Sequence, residues 1–318
     1  MVEAEQHFER ISNAVQAGDA VRSFSVASWQ RCLNVHKLDP SNSRRMHVLS
    51  QMELNDALEQ SEILLHVSSV ALDDFFNAVE EIGCCVLLSD ANGIPLSRRG
   101  SQADLKDLTQ WGLSPGVNWS EPFQGTNGIG TALVEGRCLT VRRDQHFYVD
   151  KVNISCIAAP IFDAEVGING VLNVTLYKDE QFRWQTQIVQ TLLLNTVRQI
   201  EERLFRHAYA SARFVSLPEV PGTGLRLLAL DPYDMVIGAT RAARHYLGIV
   251  PKMLKEGLVA GDLLNDRASD DFAQAELGVI QRGLRRNKGN VSATADSLGV
   301  SRATMKRKIT QYAVKKNT

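Results

Sequence analysis

A chain of 318 residues, 44% hydrophobic and 22% charged, has the balance of a globular protein in water and the length for two or three domains. It holds no apolar run near the ~20 residues that a membrane helix needs, and its opening, MVEAEQHFERIS, is acidic and polar, unlike a secretion signal. Five cysteines (Cys32, Cys84, Cys85, Cys138 and Cys156) show neither CxxC pairs nor a disulfide framework. A cytoplasmic protein with reduced thiols, no metal and no cofactor is expected.

The net charge of −1 hides an asymmetry. Residues 282–318 carry ten Lys or Arg against one acid, Asp296, a balance of +9, which leaves 25 basic against 35 acidic residues for the rest. Phosphate neutralisation by Lys and Arg supplies most non-specific DNA affinity, so a basic tail on an acidic body points to nucleic acid.

Residues 1–54 form a helical lead-in. Val26, Trp29 and Leu33 recur at three and four residues, with Arg22, Arg31 and Lys37 facing elsewhere. Asp39-Pro40 is expected to end that helix, because the residue before proline disfavours helical backbone. SW-R followed by L-DP resembles the N-terminal lead-in of the acetoin-catabolism regulator family.

Residues 55–212 read as one domain. A helix over 55–82 leads to a hairpin, 84–89 with 94–97, around the turn Asp90-Ala91-Asn92-Gly93. A helix at 103–111, an irregular stretch, a short helix at 126–134 and a strand at 139–142 follow. Strands 155–162 and 170–176 form a second hairpin. A long amphipathic helix, 182–212, carries Ile188, Leu192, Val197, Ile200 and Leu204. This order describes an α+β sensor with an antiparallel sheet. Four blocks, EPFQGTNGIGTALVEGR, HF, CIAAPIFD and GVLNV, resemble the GAF sensor domain of acetoin-type regulators. The resemblance implies a small-molecule pocket between the sheet and its overlying loops and helices.

For that pocket, Trp111, Trp119 and Phe123 offer an apolar wall. Thr126, Asn127 and Thr131 offer oxygen and amide groups at a helix start, where free N–H groups favour electron-rich partners. His146 and Phe147 are expected across from them. Cys156, Asn173 and Thr175 alternate on the two central strands. Each has a structural alternative: tryptophans as core, His146 as a buried hydrogen-bonding histidine, glycines as turns. GTNGIG lacks the order and the preceding parallel strand of a dinucleotide fingerprint. Cys84 and Cys85 should point to opposite faces, so a disulfide between them is improbable.

Residues 213–268 combine a linker marked by Pro218, Pro221, Gly222 and Gly224 with a strand, a turn at DPYD, a second strand, and a helix capped by Thr240. GATRAARHYLG resembles the start of a PAS domain. The segment is too short for a complete one and reads as a reduced PAS-like module.

Residues 269–318 spell three helices. Leu277, Ile280 and Leu284 line one face of the first, and the second spans 291–298 with small residues at Ala293 and Ala295. Ser301 caps the third. The third carries Arg302, Thr304, Lys306, Arg307 and Lys308, with Met305, Ile309 and Tyr312 opposite. GNVSATADSLGVSRATMKRKI resembles the Fis-type helix-turn-helix that ends many bacterial enhancer-binding activators, departing from it at Met305-Lys306. The resemblance implies an all-α DNA-binding domain whose last helix enters the major groove. Ser301, Arg302, Thr304 and Lys306 are the expected base or nearby phosphate contacts, and Arg307, Lys308 and Lys288 the expected phosphate contacts.

Regulators of this type usually place an ATPase module between sensor and helix-turn-helix. Here the intervening stretch has neither the GxxxxGK[ST] loop nor a GAFTGA segment. The expected protein is therefore no enzyme. It is a regulator whose GAF domain senses a small organic metabolite and controls a Fis-type dimer on an inverted-repeat operator. Its partners would be DNA, the effector, a second copy, and RNA polymerase or a partner activator, with no membrane. Alternatives are a redox sensor using the GAF-domain cysteines and, from another class, a GAF-fold sulfoxide-reductase-like enzyme.

Overall fold

The computed structural model describes residues 2–18, 20, 23–42, 46–177, 182–218, 224–263, 272–287 and 289–312. The chain falls into two compact units, residues 1–229 with 238–248, and residues 230–237 with 249–318.

In the first unit, α1 (Val2–Gln16) and α2 (Phe24–Asn34) form the lead-in. Ser23 caps α2 by accepting from the Val26 N–H. Helix α2 ends at Asn34, ahead of the expected stop at Asp39-Pro40. The single helix expected over 55–82 is two, α3 (Gln51–Gln60) and α4 (Glu62–Val79), divided at Ser61. A capping box between Ser50 and Glu53 starts α3 a turn earlier than the apolar pattern suggests.

The sheet runs β2-β1-β5-β4-β3 and every pair is antiparallel. Its strands are β1 (Cys84–Asp90), β2 (Pro95–Gly100), β3 (Leu139–Val141), β4 (Ser155–Phe162) and β5 (Ile168–Leu176). The Asp90 carboxylate accepts the N–H groups of Asn92 and Ile94 and so shapes the first hairpin turn. Helices α5 (Leu105–Gln110), α6 (Glu121–Gln124) and α7 (Gly128–Glu135) lie between β2 and β3.

Alternation divides the strands between two cores. Cys84, Val86, Leu88, Ile157, Ala159, Leu172 and Val174 face α4 and α8 (Phe182–Ala208). Cys85, Leu87, Ala158 and Val171 face α5, α7 and the preceding loop. The vicinal cysteines point to opposite faces as expected and are free thiols.

The stripe of α8 differs from the expectation in its first half. Ile188 is 52% exposed, and Val189 and Leu193 are the buried residues, followed by Val197, Ile200 and Leu204. That stripe packs on α4 and the sheet of its own chain.

A second sheet has the order β6-β7-β8, from β6 (Arg213–Ser216), β7 (Leu227–Leu230) and β8 (Val236–Ala239). Strand β6 has no counterpart in the sequence reading, which carries the long helix to residue 212. Thr240 caps α9 (Arg241–Leu247), and Gly248 ends it in the left-handed region. Pro221 and Gly222 of the expected linker lie outside the described residues.

In the second unit, Asp231 accepts from the N–H groups of Tyr233 and Met235, and Val236 donates to Leu258. Short helices α10 (Pro251–Glu256) and α11 (Ala260–Leu263) precede α12 (Phe272–Arg286), α13 (Val291–Ser297) and α14 (Arg302–Gln311). Ile280, Leu284, Ala295, Met305 and Ile309 form the core of these last three helices. Gly283 lets α13 approach closely, since a Cβ there would meet the Thr294 methyl at 2.9 Å.

Candidate functional site

The expected site residues fall in two regions, one in each unit. In the first unit, α7 lies over the sheet. Asn127 caps it, its Oδ1 accepting from the Gly130 N–H at 2.9 Å while its Nδ2 donates to the carbonyls of Trp119 and Gly125, each at 2.8 Å. Beneath α7 is a hole too small for a water molecule, lined by Trp119, Asn127, Cys156, Asn173 and Thr175 with Leu87, Leu113, Gly128 and Ile129. Five of the eleven expected pocket residues therefore converge. Asn173 Nδ2 donates to Thr175 Oγ1 at 3.0 Å, and Asn173 Oδ1 is buried without a hydrogen-bond partner. A ligand hydroxyl can donate to that oxygen. Trp119 spends its indole N–H on the Gly112 carbonyl, so it offers the hole only an apolar ring.

The other six are not brought to the hole. Trp111 packs at a tilt against Tyr177, with ring centres 5.5 Å apart, and Phe123 lies beside His47 at the surface. Thr126 and Thr131 join a buried hydroxyl network with Ser28. His146 and Phe147 are fully buried where the lead-in packs. The His7 ring Nε2 lies 3.1 Å from each of their carbonyl oxygens, and Trp29 Nε1 donates to the Gln145 carbonyl. The neutral His146 ring bonds the Arg143 carbonyl through Nδ1, and burial pushes its pKa down to about 4.

The lead-in closes over this region through residues that the sequence reading did not single out for the site. Glu121 accepts from Ser28 at 2.5 Å and from Arg31, which also reaches Glu135 at 3.0 Å. The SW-R block was the available signal, since Ser28, Trp29 and Arg31 all belong to it.

The thiols lack the character of a redox sensor. Burial raises the pKa of Cys32, Cys84 and Cys85 to about 12, that of Cys156 to about 11, and that of Cys138 upward as well. Reactive thiols need the opposite shift. Among the described residues no group of three or more His, Cys, Asp or Glu side chains could hold a metal ion, and no helix is long and apolar enough to cross a membrane.

In the second unit, Ser301 caps α14 by accepting from the Thr304 N–H at 3.1 Å. Met305 and Ile309 are buried, which turns Arg302, Lys306 and Arg307 outward on an exposed face. Lys308 is differently placed. Its Nζ donates to Glu276 on α12 at 2.5 Å, and Tyr312 donates to the same carboxylate. Lys288 lies outside the described residues.

The family model described as "MimR, N-terminal domain" matches residues 3–186, and that of "Bacterial regulatory protein, Fis family" matches residues 272–312. The chain is similar to the acetoin catabolism regulatory protein of Cupriavidus necator, with 29% identity over 69% of this chain and 34% of that one. It is also similar to the propane 2-monooxygenase operon transcriptional activator MimR of Mycolicibacterium smegmatis, with 27% identity over 61% and 32%. The chain thus matches about a third of the length of these curated relatives. Among solved structures, a chain of the E. coli DhaR(N)–DhaL complex shares the fold. Its TM-score is 0.52, with 16% identity over 72% of this chain and 78% of that one.

Proposed function

The chain belongs to the family defined by the MimR N-terminal domain and carries a Fis-family helix-turn-helix, and from that premise we propose that it is a DNA-binding transcriptional regulator controlled by a small oxygenated metabolite. The observation that carries this reading is the outward face of α14, with Arg302, Lys306 and Arg307 exposed beyond a Ser301 cap. A helix with that face suits the major groove, with phosphates taken by its basic residues.

The sensor half rests on the hole beneath α7. In this closed form it does not admit even a water molecule, so any effector must be small, and its free acceptor, Asn173 Oδ1, calls for a hydroxyl. That favours a short alcohol or hydroxyketone. The relatives named for acetoin catabolism and for propane oxidation point to molecules of similar size. Admitting an effector requires α7 or the lead-in to shift, and this couples occupancy to the rest of the chain.

The stretch between sensor and helix-turn-helix carries no nucleotide-binding loop, which supports a mode of action that does not use an ATPase there. The protein would act by repression or simple recruitment of RNA polymerase, or beside a partner activator. Two copies would read half-sites one helical turn apart.

The test is binding to the DNA upstream of its own gene across a salt series, with acetoin, acetone and 2-propanol as effectors. Specific binding that one of them changes supports both halves. Specific binding that none changes removes the metabolite-sensing half. Weak binding with steep salt dependence and no sequence preference removes the regulator reading.

A further inference from the structure

On the sheet face opposite the closed hole, the first unit contains a cavity of about 750 Å3, within the range of sites for small organic ligands. Strand β4 forms its floor, α8 and α9 its sides, and the loop at Arg137 one edge. Much of the wall is apolar, from Pro160, Leu194, Val197, Phe205 and Leu225. No part of the family resemblance assigns it a role.

The charged groups around it are unevenly committed. Three carboxylates reach the lining, and all are engaged. Asp163 accepts the N–H groups of Glu165 and Gly167, Glu201 that of Phe162, and Glu202 the Nε of Arg206. Burial also pushes the Glu201 carboxyl pKa up. Two guanidinium groups rest on aromatic rings instead. The Arg241 Cζ lies 4.1 Å over Phe162 and the Arg226 Cζ 4.1 Å over Tyr246.

Arg226 is the group that needs explaining. It is 6% exposed, and one terminal nitrogen donates to the Pro218 carbonyl at 2.9 Å. Its buried Nε makes no hydrogen bond, and no carboxylate is paired with it among the described residues. A buried guanidinium with an idle N–H is costly unless an anion completes it. The guanidinium is held over the Tyr246 ring and lines the cavity, where a group of this kind can take a carboxylate.

We propose that this cavity is a second ligand site, for a small organic monocarboxylate with an apolar body. The carboxylate pairs with the Arg226 guanidinium, and the body fills the space between α8 and α9. A single negative charge is enough to complete Arg226, and the three nearby carboxylates oppose a second. A ligand so placed would brace the long helix of the sensor against the strand–helix module that follows it.

The experiment is titration calorimetry of the full chain with benzoate, octanoate and 1-naphthoate, and with 1-naphthamide as the uncharged control. At least one carboxylate should saturate one site with a Kd below ~1 mM, and the amide should bind at least ~10-fold more weakly. Arg226→Met keeps the stem and removes the guanidinium, and should weaken binding by ~10-fold or more. Ala242→Phe fills the cavity while leaving Arg226 in place, and should abolish binding even where the arginine variant fails to fold. Thr175→Val, in the hole on the other face, should leave carboxylate binding unchanged, which separates this site from the proposed effector site. Three results would each overturn the proposal: no saturable carboxylate, an amide bound as well as its acid, or Ala242→Phe binding like the parent.

Discussion

Arg31 grips Glu121 with two hydrogen bonds, Nε to Oε2 at 2.9 Å and a terminal nitrogen to Oε1 at 3.0 Å, and the carboxylate so held is 1% exposed. Glu121 begins α6, beside the cap of α7, so the pair pins the lead-in helix α2 to the roof of the sensor hole. Arg31→Met keeps most of the packing and removes the cation. A buried carboxylate left with only Ser28 carries a desolvation cost that nothing offsets. The first unit should lose about 2–4 kcal/mol in urea unfolding. A loss near zero would mean that Glu121 reaches water without difficulty.

His146 makes the sensor unit sensitive to acid. Burial holds its folded pKa near 4, against an ordinary value of ~6.5. Between those values the unfolded chain holds a proton that the folded chain does not, so stability is complete above pH ~6.5 and falls as pH drops toward 4. The full difference is on the order of 3 kcal/mol. His7, lowered for the same reason, acts in the same direction. His146→Asn can still offer an N–H toward the Arg143 carbonyl and has no ring to protonate. Its urea midpoint should change less between pH 7 and pH 4 than that of the parent. Equal slopes would move the effect to other groups.

The close approach of α7 to the chain ahead of it depends on Gly130. A Cβ there would meet the Glu121 nitrogen and the Trp119 carbonyl oxygen, both backbone atoms, at 2.6 Å. Backbone cannot yield as a side-chain tip can. Gly130→Ala should cost about 1–3 kcal/mol of stability and change the response to any effector bound beneath α7. Unchanged thermal unfolding would show that α6 and α7 separate freely.

The sequence made some of this legible and left some hidden, for physical reasons. Turn chemistry and period-two runs located β1, β2, β4 and β5, because Asp90 and the flanking glycines act locally. The Ser301 cap and the buried pair Met305 and Ile309 made the exposed face of α14 readable in the same way. Contacts distant in sequence were not readable. Arg31 and Glu121 are 90 residues apart. The phase of α8 slipped by one because Ile188 and Val189 are both apolar, and only packing against α4 selects Val189. Lys308 looked like Arg307 until α12 placed Glu276 beside it.

Arg302 is exposed in the first turn of α14 and has no part in the core. Under the proposed docking it reaches a base edge or a neighbouring phosphate. Arg302→Ala should weaken operator binding by about 1–3 kcal/mol and leave the melting temperature unchanged. Operator affinity equal to that of the parent would remove Arg302 from the interface.

Glu276 sets the charge that α14 can present. It occupies Lys308 and Tyr312 together, and those two hydrogen bonds lower its own pKa. Lys308 thus spends its ammonium within the domain, whereas Arg302, Lys306 and Arg307 stay outward. Glu276→Gln removes the negative charge while keeping an oxygen for Tyr312. The released Lys308 then becomes available to phosphate. Each further phosphate that the protein neutralises steepens the slope of log affinity against log salt by about 0.9. The variant should therefore bind any duplex more tightly at low salt, show a slope steeper by roughly one, and add nothing to the preference for the operator. A slope equal to that of the parent would mean that Lys308 lies too far from the DNA backbone to contribute, and that Glu276 only braces α14 against α12.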